Sequence, residues 1–470
     1  MTDKLTYEDL KLGEKAKHAF KQGKDADFII KNCPVYLNTN PVFTGLNVTD
    51  LAIAGVLGGI NSLYVGDTGT GKSQLAQDFY NYYFNGNQLQ GGHAVKIRGR
   101  PELDIYEEVY RDIDKEQLRW IPNENIQAMY HFIDELNRCP EVTQNQFFGL
   151  GDGFIEHKGM KVHLGKNGYN LAVATANLGN GEFQGTFETD KALYNRLPLT
   201  LDFDYKMFQP TDEDKMIIDF LRAADPRIKE APKRDISGLV IQAEKEIAES
   251  TRNPGLESFA VINFLKFGLN NCYNPSIQSK EKNWPYQCQD CNKNQNADSL
   301  CSLIKAPTQR TINAIIKYAA ALDYLGKLKN PKQEIDAVEL MFNAFELTGA
   351  YQKLLNPSIL KQNYAEQNPK MIKQISEKLK HNFRQNEDFI LTSLENAQRG
   401  KPFDDYYKHD KTIGDDYSKL SEKARANVQK LEPFTDNTEI GLGWVKTACN
   451  LWKTLHENNQ KKNGADKNEK

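Results

Sequence analysis

No apolar run in this chain of 470 residues reaches the roughly 18 residues that cross a bilayer as a helix. The closest, from Leu51 to Val65, is interrupted by glycine, asparagine and serine, so no membrane insertion is expected. The opening segment, MTDKLTYEDLKLGEKAKHAF, is charged and lacks an apolar centre, and does not read as a secretory signal. An excess of one charge sign is also missing. The 60 Lys and Arg residues stand against 63 Asp and Glu, for a formal net charge of -3. That balance excludes a surface built to coat nucleic acid, while a local basic patch stays compatible with it. Cysteine is scarce: there are 7, an odd number, and Cys33, Cys139 and Cys449 stand far from any other in sequence. Such usage fits a reducing compartment better than a disulfide framework. The chain reads as soluble and cytoplasmic, with roughly two or three packed units and no internal repeat.

What is present is an alternation of strand-length apolar runs with helical segments between about residues 41 and 206. The runs are Ser62 to Val65, His93 to Ile97, His131 to Ile133, Leu171 to Thr175 and Leu199 to Phe203. This alternation implies an α/β core with a parallel sheet and helices on both faces. Between the third and fourth runs, GFIEHKGMKVHLG (153 to 165) alternates about the turn-like Lys158-Gly159 and predicts a hairpin. Residues 1 to 40 read as a short helix and an irregular lead-in. After Pro210 the pattern turns helical, and Thr211 with Asp214 has the spacing of an N-terminal capping box. A helical lid is expected over 207 to 350, with a polar, cysteine-bearing insertion at 272 to 301. A helical C-terminal region with a disordered tail is expected over 351 to 470.

Gly66-Asp67-Thr68-Gly69-Thr70-Gly71-Lys72-Ser73 fits the phosphate-loop pattern G-x-x-x-x-G-K-[ST], between a strand and a helical segment that begins near Gln74. Glycines let successive backbone N–H groups turn toward phosphate oxygens, and the following helix adds the positive end of its dipole. Lys72 would reach the terminal phosphates of ATP and Ser73 would ligate Mg²⁺. Asp134 and Glu135 follow the third strand, in HFIDELNR. There an aspartate can hold the Mg²⁺ water shell and a glutamate can polarise the attacking water. Asn177, ending the fourth strand, LAVATAN, can orient that water. The alternatives are a solvated acidic loop and a turn asparagine.

In this order these residues resemble the AAA+ ATPases, and within them the MoxR-like branch. The resemblance covers about residues 41 to 350. It is carried by Asp134-Glu135-Leu136-Asn137-Arg138-Cys139-Pro140, by ATANLGNGEFQGTF, by ETDKALYNRLPLTLDFDY and by APTQRTINAIIKYAAALDYL. The chain has Asn177-Leu178 where the family has Asn-Pro, and Asn195-Arg196-Leu197 where it usually has Asp-Arg-Phe. The family's Ser-Pro-Arg is approximated by Pro307-Thr308-Gln309-Arg310. The resemblance implies a ring, commonly hexameric, with ATP between subunits. It makes Arg196 the arginine finger supplied in trans and Arg310 the sensor 2 arginine, with Arg138 a further candidate for the subunit interface. It also implies work on a client or adaptor protein. The alternative is a DNA-dependent motor or initiator, for which Lys158, Lys161 and Lys166 on the hairpin are the candidate contacts. Nucleic acid is the less favoured partner.

Cys272, Cys288, Cys291 and Cys301 fall in a polar stretch unsuited to burying a core. Four thiolates can close a tetrahedral shell around a structural Zn²⁺, which would supply folding energy. Four free thiols or a disulfide are the alternatives. His131 is expected in the core, and His157 and His163 in solvent.

Overall fold

A computed structural model of the chain describes residues 4–12, 39–114, 119–157, 159–177, 187, 189–222, 234–269, 300–400 and 445–457. They fall into two compact units. The first comprises residues 1–252 and 317–335, the second 253–316 and 336–470.

The first unit is built on five parallel strands: β1 (Ser62–Val65), β2 (Ala94–Arg98), β5 (Tyr130–Asp134), β8 (Leu171–Ala176) and β9 (Leu199–Asp202). Their order across the sheet is β2-β5-β8-β1-β9. Every residue of β1 and β8 is buried, as expected of parallel strands covered on both faces. Helix Lys72–Tyr82 packs against β2, β5 and β8, and helix Val48–Leu57 packs against β9 and helix Ser237–Arg252. The α/β class read from the sequence, a parallel-sheet core followed by helical segments, is the one observed. The register pairs Val65 with Ala176 and Arg98 with Asp134. The carboxyl ends of β1, β5 and β8 therefore meet at one edge, where open α/β sheets bind their ligands.

Two antiparallel pairs attach to this frame. β6 (Phe154–His157) with β7 (Met160–His163) is the expected hairpin. β3 (Arg111–Asp114) with β4 (Arg119–Pro122) was not indicated by the sequence pattern. The capping box is formed: Thr211 Oγ1 accepts from the Asp214 backbone at 3.1 Å, and the Asp214 carboxylate accepts from the Thr211 backbone at 3.1 Å. Its helix, Asp212–Arg222, and helix Ser237–Arg252 belong to the first unit, as do residues 317–335, although all three were expected in the lid.

The core of this unit is rich in tyrosine, a large apolar ring whose buried hydroxyl usually finds a partner, and four of the buried hydroxyls do so on backbone carbonyls. Tyr83 donates to the Leu10 carbonyl at 2.6 Å, Tyr130 to Ala76 at 3.0 Å, Tyr169 to Val56 at 2.6 Å and Tyr318 to Leu51 at 2.9 Å. His131, also fully buried, shares a 2.7 Å hydrogen bond with the Tyr110 hydroxyl. Burial pushes its pKa down to about 4, so it is a neutral core residue, as expected. His163 is exposed.

The second unit is helical among its described residues. Helices Leu256–Asn263, Ala337–Gly349, Pro357–Tyr364, Asn368–Gln398 and 445–457 pack around aromatic contacts. Phe383 lies 5.6 Å from Phe264 and 6.3 Å from Phe342, ring centre to ring centre, and Phe259 lies 4.7 Å from Trp452. Asp336 caps helix Ala337–Gly349 by accepting from the Val338 and Glu339 backbones. Cys139 and Cys449 are buried free thiols. Among the described residues, no helix is long and apolar enough to cross a membrane.

Candidate active site

The loop between β1 and helix Lys72–Tyr82 curls because Gly69 and Gly71 adopt φ of 85° and 92°, a region that costs an L-residue about 1 kcal/mol or more. The helix begins at Lys72, two residues before the start expected from sequence. The buried Lys72 ammonium folds back over the loop. It donates to the Gly66 carbonyl at 2.8 Å, the Asp67 carbonyl at 2.5 Å and Thr70 Oγ1 at 3.2 Å. Burial lowers its pKa, opposed by the carboxylates of Asp204, Asp67, Asp134 and Asp202. Asp204 Oδ1 also accepts from the Asp67 backbone at 3.0 Å, tying the loop to the residues after β9. Thr68 takes a 2.6 Å bond from its backbone N–H to Asp67 Oδ1. Gln74 is buried and donates to Asp78 Oδ1 at 2.8 Å.

Asp134 and Glu135 stand opposite this loop. Asp134 Oδ1 accepts from Ser73 Oγ at 2.7 Å and from Thr175 Oγ1 at 2.9 Å. Its other oxygen lies 3.9 Å from Lys96 Nζ. Glu135 leaves the strand in a left-handed conformation, φ 56° and ψ 48°, and its backbone N–H donates to Thr175 Oγ1 at 3.0 Å. Its carboxylate lies 3.0 Å from the Arg138 guanidinium and 3.6 Å from Arg98 Nε. Asn177, at the end of β8, is held through its backbone by Asn137. Gly99, just past β2, donates its N–H to the Asp134 carbonyl at 2.7 Å.

These residues enclose a cleft of about 210 Å³ lined by Thr68, Gly69, Gly71, Lys72, Ser73, Gln74, Glu135, Thr175, Ala176 and Asn177. Most of the residues singled out in sequence thus converge. Thr175, Ala176 and Asn137, which stand in the stretches that carry the resemblance but had no role of their own there, join them, as does Gly99, which had no sequence signal. A bare polyphosphate would meet one lysine among several carboxylates. The donor set therefore fits a phosphate ligand accompanied by a divalent cation, with the Ser73 hydroxyl and Asp134 carboxylate side by side to hold that cation.

Arg196 lies outside the cleft. Its Nε donates to Asp152 Oδ2 at 2.8 Å, one terminal nitrogen donates to the Ala192 carbonyl at 3.2 Å, and its guanidinium sits 4.3 Å from the centre of the Phe148 ring. Arg310 is in the second unit, as the second residue of helix Gln309–Lys329. On the hairpin, Lys161 Nζ sits 3.9 Å from the centre of the Phe154 ring. Lys158, Cys272, Cys288 and Cys291 lie outside the described residues, and Cys301 is placed by its backbone on helix Leu300–Leu303. Among the described residues, no group of three or more His, Cys, Asp or Glu side chains could hold a metal ion.

No family model and no curated protein matches the chain. Among solved structures, a "putative ATPase" from Cytophaga hutchinsonii is similar over 77% of this chain and 95% of that one, at 15% identity and a TM-score of 0.48. That likeness is slight, and the reading of the cleft rests on its own geometry.

Proposed function

We propose that the protein is a Mg²⁺-dependent ATPase of the AAA+ type, working as a ring on a client protein in the manner of the MoxR-like branch. The observation that carries the reading is the 2.7 Å bond from Ser73 to Asp134. It joins the end of the phosphate loop to the acid of the third core strand, where a nucleotide's terminal phosphates and their cation would be held together. Bound Mg²⁺ would supply charge neutralisation at the transferred phosphoryl group.

The chain's own groups then divide the work. The N–H groups of residues 69 to 73 and the N-terminus of helix Lys72–Tyr82 cradle the phosphates, and the Lys72 ammonium adds positive charge. Glu135, half-shielded at the cleft wall, accepts the proton of the attacking water. Asn177 orients that water from the end of β8. Arg196 is assigned to stabilising charge in a neighbouring subunit's cleft, and Arg310 to the sensor 2 role, in cis or in trans. An arginine that acts in trans needs no place in its own cleft, and Arg196 would have to leave Asp152 and the Phe148 ring to reach a neighbour's phosphates. Zn²⁺ on Cys272, Cys288, Cys291 and Cys301 is retained as part of the proposal, as are hexameric assembly and a cytoplasmic location.

A DNA-dependent motor is the second reading. Of its candidate contacts, Lys161 is exposed on the hairpin with its ammonium over the Phe154 ring, and the balanced net charge of -3 favours the protein client. ATP turnover with and without single-stranded and duplex DNA, beside the Glu135→Gln variant, tests both. The expected results are turnover without DNA, little stimulation by it, and a variant that binds ATP but hydrolyses it about 100-fold more slowly. Strong stimulation by DNA would favour the motor, and wild-type turnover in the variant would remove Glu135 from the mechanism.

A further inference from the structure

We propose that Thr175 is the positioning residue of the acidic pair, a single buried hydroxyl that sets both the carboxylate of Asp134 and the backbone of Glu135. The inference rests on the ATPase reading and deepens it. β8 reads LAVATA and is buried throughout, with Thr175 2% exposed. A strand in that setting is served best by a β-branched apolar residue, and valine has the shape of threonine without its hydroxyl. An unpartnered hydroxyl would cost about 1 to 3 kcal/mol there, so its partners reveal its task. Both belong to the pair: Oγ1 donates to Asp134 Oδ1 at 2.9 Å and accepts from the Glu135 N–H at 3.0 Å.

The two bonds do different things. The first fixes the plane of the Asp134 carboxylate, leaving Ser73 as the second donor on the same oxygen. The second fixes the peptide plane by which the chain enters Glu135. That residue has φ 56°, which costs a side-chain-bearing residue about 1 to 2 kcal/mol and persists only when its surroundings over-determine it. The direction of the Glu135 side chain follows from that backbone. Losing the hydroxyl would therefore misaim the glutamate while leaving the phosphate loop intact, an effect on turnover rather than on binding.

The test compares wild type, Thr175→Val and Thr175→Ser by three measurements: ATP affinity, steady-state turnover, and amide hydrogen exchange of the 130–137 segment in nucleotide-free protein. Thr175→Val should lower kcat by about 10- to 100-fold with less than about a 3-fold change in ATP affinity. It should also speed exchange at the Glu135 amide about 10-fold or more, and Thr175→Ser should restore both within about 3-fold. A valine variant with wild-type kcat and exchange would overturn the proposal. So would a serine variant as impaired as valine, which would mark a packing role. If wild type lacks turnover while the exchange pattern holds, the ATPase reading fails and the claim for Thr175 in hydrolysis fails with it. Exchange unchanged in valine with wild-type turnover present would sink the positioning claim alone.

Discussion

Asn137 holds Asn177 by both ends of one residue: its side-chain amide nitrogen donates to the Asn177 carbonyl at 2.6 Å, and its amide oxygen accepts from the Asn177 N–H at 3.4 Å. The first contact is short and the second long, so the carbonyl bond carries most of the restraint. Asn137→Ala should lower kcat by about 10-fold with little change in ATP affinity. Combined with Asn177→Ala it should add little further loss, because the two side chains act as one unit. A double-mutant cycle on kcat measures this, and additive losses would separate the two residues.

Gly99 has no room for a side chain. A Cβ built there would stand 2.2 Å from the Glu135 carbonyl oxygen and 2.9 Å from its carbon. Since both atoms belong to the backbone of the acidic pair, the clash is relieved only by a shift of that backbone or of the end of β2, and the first would misplace Glu135. Gly99→Ala should therefore cost about 100-fold in turnover, and steady-state ATPase assays on folded variant protein check it. An active alanine variant would show that β2 yields instead.

Glu346 is 9% exposed on helix Ala337–Gly349, which packs against helix Asn368–Gln398. Burial pushes its carboxyl up to about 7, opposed by Lys373 and Lys380 and assisted by Glu377 on the facing helix. Lys380 is shared with Glu339 at 2.8 Å. Because the folded pKa lies above the unfolded value of about 4.3, the contribution is full below that value and is lost as pH rises through about 7. The loss from pH 5 to pH 8 is at most about 3 kcal/mol. Denaturant midpoints at those two pH values should fall less in Glu346→Gln than in wild type. Equal falls would deny Glu346 the role.

The cysteine-bearing stretch makes a chemical forecast independent of the cleft. Protein purified without chelator should carry about one zinc per chain, and Cys288→Ser with Cys291→Ser should release it. Metal analysis that finds none in wild type would leave four ordinary thiols.

Much of the first unit was legible because each core strand is a continuous apolar run with a different texture on either side. SLYV before a glycine loop and LAVATA before Asn177 needed no partner to be recognised, and Thr211 with Asp214 is a purely local signal. The β3–β4 pair was hidden because RDID and RWIP mix charge with apolar residues over only four positions each. Within the site, the loop and acidic pair were visible as motifs. Thr175 appeared only as the end of a strand run and Gly99 drew no reading, because their contacts are made with residues some 35 to 40 positions away. The return of residues 317–335 to the first unit was equally unreadable, since apolar spacing marks a buried helix face without naming what covers it.

Tyr64, Tyr83, Tyr110, Tyr130, Tyr169 and Tyr318 are fully buried, and burial holds every one of these phenols above its ordinary range. Their stabilising contribution is complete below pH of about 10 and drains away as the solution becomes more alkaline. Of the chain's 21 tyrosines, these six thus form a built-in ultraviolet clock. Exposed phenols should ionise at once after a jump to high pH, and a delayed rise in phenolate absorbance is expected to time the opening of the first unit, which carries the phosphate loop.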